Sequence, residues 1–261
     1  MLECQHTKEK YNTNYKPKIK LVIDKGGINF ISSNSDDNTE RSISMKKAII
    51  TISGGIDSTL TAAIAKSRGY GLYFLTVNYG QKNIDREIEN TKYFANYFGA
   101  EKHKIIDMTW LGELGKSGMT DKSINFDTQH DDLIYVPFRN ACILSAAIAW
   151  AETDCDVEKI FIGSEAGPWI CPDNSPEFIK IMNQLANTAM KTNSHVTIEA
   201  PLNYLDKPGI IKTAIKYQIP FEHTWTCVSN GKKPCGICQP CRNRRESFEK
   251  LGLKDPADYE N

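Results

Sequence analysis

Between Lys46 and Thr59 a β-branched run, Ala48-Ile49-Ile50-Thr51-Ile52, feeds directly into Ser53-Gly54-Gly55-Ile56-Asp57-Ser58-Thr59. A helix-forming stretch, Leu60 to Lys66, follows without a gap. Strand, glycine turn and helix start together make an anion site. The glycines let the backbone approach an anion closely, and the free N–H groups of a first helical turn point at it. Ser53, Ser58 and Thr59 add hydroxyls. The loop lacks the Gly-Lys-Ser/Thr end of a Walker loop and the Gly-x-Gly-x-x-Gly spacing of a dinucleotide fingerprint. The competing reading is an ordinary glycine turn before a capped helix.

Three further stretches carry groups suited to phosphate. Tyr79-Gly80-Gln81 follows a strongly apolar run, Leu72 to Val77. Val136-Pro137-Phe138-Arg139-Asn140 opens another apolar segment; Arg139 can present a planar fork to phosphate, and Asn140 is placed to cap a helix. Lys207 can reach phosphate as a mobile point charge. Against these stand a surface ion pair for Arg139 and a solvated loop position for Gln81.

Four of the eight cysteines fall within Cys227-x7-Cys235-x2-Cys238-x2-Cys241. That is the ligand count of a closed tetrahedral thiolate site, and Gly236 allows the tight turn it needs. With no open position evident, the site is expected to be structural. Zinc is the first expectation, an iron–sulfur cluster the second, and two disulfides the third. Arg242, Arg244 and Arg245 follow, either for phosphate or substrate or as a solvated helix face. Cys142 is read as a core residue.

These groups need a scaffold that gathers them. From Lys46 onward, strand and helix patterns alternate. Strands are expected at Lys47–Ile52, Leu72–Val77, His103–Ile106, Lys159–Ile162 and Val196–Ala200. Helices are expected at Ser58–Arg68, at Asp85–Phe98 (apolar at Ile84, Ile88, Ala95 and Phe98), at Asn140–Glu152, at Ser175–Met190 with Pro176 in its first turn, and after Asp206-Lys207-Pro208 with Asp206 as cap. The alternation predicts an α/β fold with a Rossmann-like, doubly wound parallel sheet, whose ligand sits at the carboxyl ends of the strands. Residues 111–134 lack periodicity and read as a long loop or lid.

Residues 1–45 differ in texture. Lys18–Ile23 alternates with period two, Asp24-Lys25-Gly26-Gly27 reads as a turn, and Ile28–Ile31 as a returning strand. Ser32 to Ser44 is polar, as a linker is. A disordered tail is the other reading. The division is thus 1–45, an N-terminal extension, and 46–261, the domain with the chemistry.

With 40% hydrophobic and 25% charged residues the chain is expected to be a soluble, globular protein. Lys+Arg and Asp+Glu each number 32, so no global basic field argues for nucleic acid. No apolar run is long enough to span a bilayer, and the start lacks a signal-peptide pattern, so the cytoplasm is the expected location.

The Ser-Gly-Gly-x-Asp-Ser pattern resembles the pyrophosphate loop of the ATP pyrophosphatase (PP-loop) families, which cleave ATP between its α- and β-phosphates to adenylate a substrate. The order Ser53–Thr59, Tyr79-Gly80-Gln81, Val136–Asn140, Pro201-Leu202…Asp206-Lys207, Thr224-Trp225-Thr226-Cys227 and Lys233-Pro-Cys-Gly-Ile-Cys-Gln-Pro-Cys-Arg242 resembles the 7-cyano-7-deazaguanine synthases, the QueC family. The likeness runs from about Lys46 to the C-terminus. It implies ATP as cosubstrate, Mg²⁺ beside it, zinc on the four cysteines, and a homodimer. It also implies adenylation of 7-carboxy-7-deazaguanine, attack by ammonia, and dehydration of the amide to the nitrile, as in queuosine biosynthesis. On this likeness Ser53, Asp57, Ser58, Arg139 and Lys207 carry the chemistry. Ser53, Gly54, Gly55, Asp57, Ser58, Thr59, Tyr79, Gln81, Arg139 and Asn140 hold ATP.

Two features depart from the family. The 45 leading residues are extra, and the family's substrate segment, Tyr-Pro-Asp-Cys-Arg-Pro-Glu-Phe, here reads Cys171-Pro172-Asp173-Asn174-Ser175-Pro176-Glu177-Phe178. Asp173, Glu177 and Phe178 match and are expected to bind substrate; serine replaces an arginine and cysteine a tyrosine. Trp169 can supply the missing aromatic surface, or simply pack. These changes keep open a QueC-like antiphage relative that joins a deazapurine to a protein's amino terminus, with a protein partner. A tRNA-modifying adenylating enzyme and an inactive nucleotide-binding scaffold are the remaining readings. Neutral charge counts against the first, and the intact loop, Arg139 and Lys207 against the second.

Overall fold

A computed structural model of the chain describes residues 19–24, 27–32, 45–124, 134–154, 156–165, 171–191 and 195–260, the first two stretches as backbone. The chain divides into two compact units, Met1–Met45 and Lys46–Asn261. In the first, β1 (Ile19–Asp24) and β2 (Gly27–Ser32) pair antiparallel, from Ile19 opposite Ser32 to Asp24 opposite Gly27.

The second unit is an α/β fold on five parallel strands. In chain order it contains β3 (Lys47–Thr51), α1 (Ile56–Ser67), β4 (Gly71–Asn78), α2 (Ile84–Phe98), β5 (Lys102–Asp107), α3 (Trp110–Glu113) and α4 (Arg139–Glu152). It continues with β6 (Val157–Ile162), α5 (Pro176–Ala189), β7 (Thr197–Glu199), α6 (Lys207–Lys216) and α7 (Gln239–Lys250). The strand order is β5-β4-β3-β6-β7, all neighbours parallel. The chain builds outward from β3 through β4 to β5, then returns to the other side of β3 for β6 and β7. The order therefore reverses between β3 and β6, the place where such sheets open a crevice for ligand.

The alternation of the strands explains the two core layers. Ala48 and Ile50 of β3, with Ile52 just beyond it, face a core shared with α1, α2, α6 and α7, through residues such as Leu60, Phe94, Ile210 and Phe248. Ile49 faces the opposite core, with Leu144 and Ile148 of α4 and Met182 of α5. On β4, Phe74 goes to the first core and Tyr73, Leu75 and Val77 to the second. Both faces are covered, so the central strands read as continuous apolar runs. The edge strand β5 is largely exposed. Among the described residues no helix is long and apolar enough to cross a membrane.

Three local expectations differ from the structure. The buried stripe of α2 is Glu87, Thr91, Phe94 and Phe98, while Ile84, Ile88 and Ala95 are only half-buried. The stripe is thus turned by about one residue, placing a carboxyl where an apolar side chain was expected. Asn140 does not cap α4. The cap position belongs to Phe138, and the carboxylate of Asp173 accepts the Asn140 N–H at 2.9 Å. The expected loop at 111–134 begins inside the short helix α3, and its residues 125–133 lie outside the described residues.

Candidate active site

The loop after β3 is knitted by its own hydroxyls. Ser58 Oγ accepts the Ser53 N–H and donates to Gly55 O, both at 3.2 Å; it also lies 3.2 Å from Ser53 Oγ. The first intrahelical bond of α1 runs from Thr59 N to Gly55 O at 3.0 Å, so the N–H groups of Ile56, Asp57 and Ser58 precede the helical ladder. Gly54 takes φ 77°, and a Cβ there would lie 2.7 Å from Asn90 Cβ, so the turn needs glycine twice over. Gly163, the first residue after β6, lies against the same turn. A Cβ on it would fall 2.9 Å from Ser58 N. The two strands at the reversal point thus hold the loop between them.

A cavity of about 340 Å³ opens here. Ser53, Gly55, Asp57 and Ser58 line it from the loop, with Lys207, Arg139 and Asn140 from the starts of α6 and α4. Lys207 Nζ lies 2.7 Å from Asp57 Oδ2, 2.8 Å from Asp57 Oδ1 and 2.7 Å from Glu165 Oε2. Burial works against this ammonium, but the two carboxylates outweigh it and hold its pKa above the usual lysine range. Burial, joined by the Asp57 charge, pushes the Glu165 carboxyl up. Asp206 caps α6 by accepting the Gly209 N–H at 2.9 Å, which fixes where Lys207 starts. Arg139 lies over the Tyr79 ring and donates to its hydroxyl at 3.2 Å. The residue before it, Phe138, holds φ 59°, a strained conformation for a bulky side chain and a recurrent mark of functional bends.

The remaining wall comes from the C-terminal segment. Trp225 lines the cavity, and its backbone N–H donates to Gly54 O at 3.0 Å. Met119 and Ile134, on either side of the long loop's undescribed stretch, line it too.

Several expected ligands lie beside the cavity rather than on it. Thr59 is fully buried under the loop. Gly54 turns its carbonyl to Trp225. Gln81 is buried, accepting the Tyr79 N–H at 2.8 Å and donating to Val77 O and Glu87 at 2.9 Å, so it shapes the wall from behind. Asp173 is buried as the cap of α4. Phe178 packs against the second core. Glu177 points to solvent near Lys180, on the first turn of α5. Ser175, where the family has arginine, caps α5 by accepting the Phe178 N–H at 3.1 Å. Cys171 does line the cavity. Trp169 lies outside the described residues.

Cys227, Cys235, Cys238 and Cys241 place their sulfurs within 4.8 Å of one another. Cys227 Sγ and Cys238 Sγ are 4.0 Å apart. A tetrahedral site with bonds of about 2.3 Å needs sulfurs about 3.8 Å apart, and a disulfide needs about 2.05 Å. Backbone N–H groups of Ser229 and Cys235 point at Cys227 Sγ, both at 3.3 Å, and Cys238 N at Cys235 Sγ, at 3.4 Å, as suits thiolates. The cluster can bind a metal, and the disulfide expectation is set aside. Arg244 is not a solvated residue. It is buried, paired with Asp255 at 2.9 Å and donating to Thr224 Oγ1 at 2.8 Å and Phe221 O at 3.1 Å.

A family model described as queuosine biosynthesis protein QueC matches residues 47–252. The chain belongs to the QueC family. The 7-cyano-7-deazaguanine synthase of Oceanobacillus iheyensis is 40% identical to it over 219 residues, covering 82% of this chain and 98% of the relative. Those of Methanosphaerula palustris and Nautilia profundicola are 37% and 38% identical, each covering 82% of this chain and 99% of the relative. The QueC match begins after the N-terminal unit. Within the QueC domain, the sequence reading missed Gly163, Glu165, Asn83 and Glu87. A glycine at a strand's carboxyl end and a charged residue on a buried helix stripe were the available signals.

Proposed function

We propose that this QueC chain adenylates 7-carboxy-7-deazaguanine with ATP and couples the activated acid to ammonia, yielding 7-cyano-7-deazaguanine. The observation that carries the reading is the convergence of the loop's first-turn N–H groups, Lys207 and Arg139 on one cavity, in a member of this family. A carboxylate is a poor electrophile. Its attack on the α-phosphorus expels pyrophosphate and leaves an acyl adenylate. Ammonia then displaces AMP, and the amide loses water to give the nitrile. The work falls on positioning two anions and stabilising charge.

In this reading Ser53, Gly55, Ser58 and the first turn of α1 receive the pyrophosphate, with Gly54 and Thr59 supporting the turn. Asp57 aims Lys207 at the phosphates, Arg139 offers its fork, and Asn140 anchors the helix that carries it. Tyr79, held by Gln81, and Trp225 offer ring surface to the bases. Asp57 and Glu165 are both engaged by Lys207, so a Mg²⁺ ion would ride on phosphate oxygens and water rather than in a protein cage. Zinc is the metal proposed for the four cysteines, in a closed structural site that supplies folding energy and no step of the reaction. Substrate contacts from Asp173, Glu177, Phe178 and Trp169 are not part of the proposal.

The 46–261 unit is proposed to hold the whole activity, with 1–45 as an appendage. A homodimer is supported by Ile181 and Leu185, one turn apart on α5 and about half exposed. Cytoplasmic action fits the free thiols. The test is exchange of pyrophosphate into ATP in the presence of 7-carboxy-7-deazaguanine, followed by mass spectrometry of the product formed with ammonia. Absence of exchange with this acid would sink the reading.

A further inference from the structure

Glu87 sits on the buried stripe of α2 and lines the cavity, yet no phosphate role suits a carboxyl. Its two oxygens each accept one hydrogen bond, Oε2 from Gln81 at 2.9 Å and Oε1 from Asn83 at 3.2 Å. Asn83 also lines the cavity and is 4% exposed. Its amide N–H₂ is used on Glu87 and on Cys227 O, at 2.9 Å, which fixes the flip of the group. The Asn83 carbonyl oxygen is buried and has no hydrogen-bond partner among the described residues. The Asn83 oxygen, closed off from solvent, thus lacks a donor, and beside it the Glu87 carboxyl lines the cavity with one hydrogen bond on each oxygen and its remaining lone pairs free. A buried acceptor left unpaired is costly, and a ligand rich in N–H would satisfy it.

Building on the function proposed above, we propose that Asn83 and Glu87 form the nitrogen site of the cavity. Their oxygens bind ammonium, and Glu87 removes its proton so that neutral ammonia can attack the acyl adenylate. The step balances: the Glu87 carboxylate and NH₄⁺ become the carboxylic acid and NH₃. The nitrogen lone pair then forms the C–N bond, the C–O bond to AMP breaks, and AMP leaves with that electron pair. The second surplus proton passes to AMP or water.

The surroundings suit this role. Burial pushes the Glu87 carboxyl up to about 7, against the Gln81 bond, the Arg139 charge and the Asn83 bond, which all lower it. A proton acceptor works best with a pKa near the working pH. Among the described residues, the charged and titratable groups facing Glu87 are Arg139 from α4 and Tyr79 just after β4. Tyr79 is pushed up to about 12, chiefly by burial, and so stays neutral. From the C-terminal segment, Arg244 also lines the cavity but is tied to Asp255. The nearby Arg139 charge disfavours a second cation and therefore favours the amine once its proton is gone.

The experiment uses the full chain, with pyrophosphate exchange and ammonia-dependent turnover measured side by side. Glu87→Gln is expected to keep acid-dependent exchange and the KM for the acid within about twofold, while turnover with ammonium falls about 10²-fold or more. Hydroxylamine, already uncharged at neutral pH, is expected to restore turnover as the hydroxamate. In the unaltered protein, kcat/KM for total ammonium is expected to level off above pH about 7; in the variant it keeps rising about tenfold per pH unit, following free ammonia. The wild-type profile stands as a test even if the variant does not fold. A wild-type profile that climbs with free ammonia overturns the proposal. So does loss of exchange with a raised KM for the acid in Glu87→Gln, which would make Glu87 a reader of the deazapurine's N–H edge. No exchange in the unaltered protein would instead fail the proposed function itself.

Discussion

Gly163→Ala asks whether the anion loop works only where the sheet holds it. A Cβ at this position would lie 2.9 Å from Ser58 N and 3.0 Å from Asp57 C and Ser58 Cα. All three are backbone atoms in the first turn of α1, so no side chain can swing aside. Comfortable contact begins near ~3.5 Å, so β6 and α1 must part by roughly 0.5 Å. Overpacking of this kind costs about 1–3 kcal/mol. At roughly 2–4 °C per kcal/mol for a domain of this size, the melting temperature should fall by several degrees. The effect on adenylation should be larger than stability explains, because Ser58 N is one of the N–H groups proposed to receive the pyrophosphate. A misplacement of about 1 Å can cost on the order of 10²-fold, so half of that predicts roughly a tenfold loss. Acid-dependent pyrophosphate exchange, measured well below the melting point, reads it directly. Gly69→Ala is the control: at φ 86° with nothing within 4 Å, it costs about 1 kcal/mol of backbone strain and should leave exchange unchanged. A Gly163→Ala protein that melts early but exchanges at the wild-type rate would refute the reasoning.

Lys207→Met leaves Asp57 and Glu165 without their shared cation, which should cost about 3–5 kcal/mol and cut exchange at least about 10²-fold. Its pH dependence has a definite sign. The Glu165 carboxyl is already raised and would rise further, so the folded state binds more protons than the unfolded one. The deficit in melting temperature should therefore be small at pH 5 and grow toward pH 8; a deficit independent of pH counts against the ion cluster. Cys238→Ser should lose bound metal, read by elemental analysis, and make the segment from Thr224 onward protease-sensitive; a metal content equal to wild type contradicts the ligand set. Arg244→Met should lower stability by about 3–5 kcal/mol through the stranded Asp255 carboxylate, and an unchanged melt would show the pair to be dispensable.

Most of the scaffold was legible because its code is local. Glycine turns, a period of two or 3.6, and the Cys-x2-Cys-x2-Cys spacing act over a few residues, and they located β3, α1, β4 and the four thiols. What the sequence hid depends on which way an element is rotated or which distant segment it meets. Two candidate stripes on α2 differ by one position, and the more apolar one is not the buried one. Glu87 occupies the inner stripe because Gln81 and Asn83, from the preceding turn, satisfy its oxygens. Gly163 matters only because β6 lies beside β3, a pairing made across more than a hundred residues. Asp173 caps α4 by accepting the N–H of Asn140, 33 residues before it. The Cys171–Phe178 stretch reads as substrate contact by likeness; in the structure Asp173 and Ser175 accept N–H groups at the starts of α4 and α5, Phe178 packs on the core, Glu177 is exposed and Cys171 lines the cavity.

The four-cysteine segment is more than a fastening for the tail, since it supplies one wall of the cavity. Trp225, two residues before the first ligand, donates its backbone N–H to Gly54 in the anion loop. The carbonyl of Cys227 itself accepts from Asn83, which in turn bonds Glu87. Arg244, on the helix that carries the last ligand, holds Thr224 and Asp255 together. A metal held there would set the position of Cys227, and with it two things at once: the seat of the loop at Gly54 and the orientation of the Asn83 amide. On the proposed function, a thiolate site with no open position for substrate would thereby influence the reaction without taking part in it, by fixing the backbone to which Gly54 and Asn83 are hydrogen-bonded.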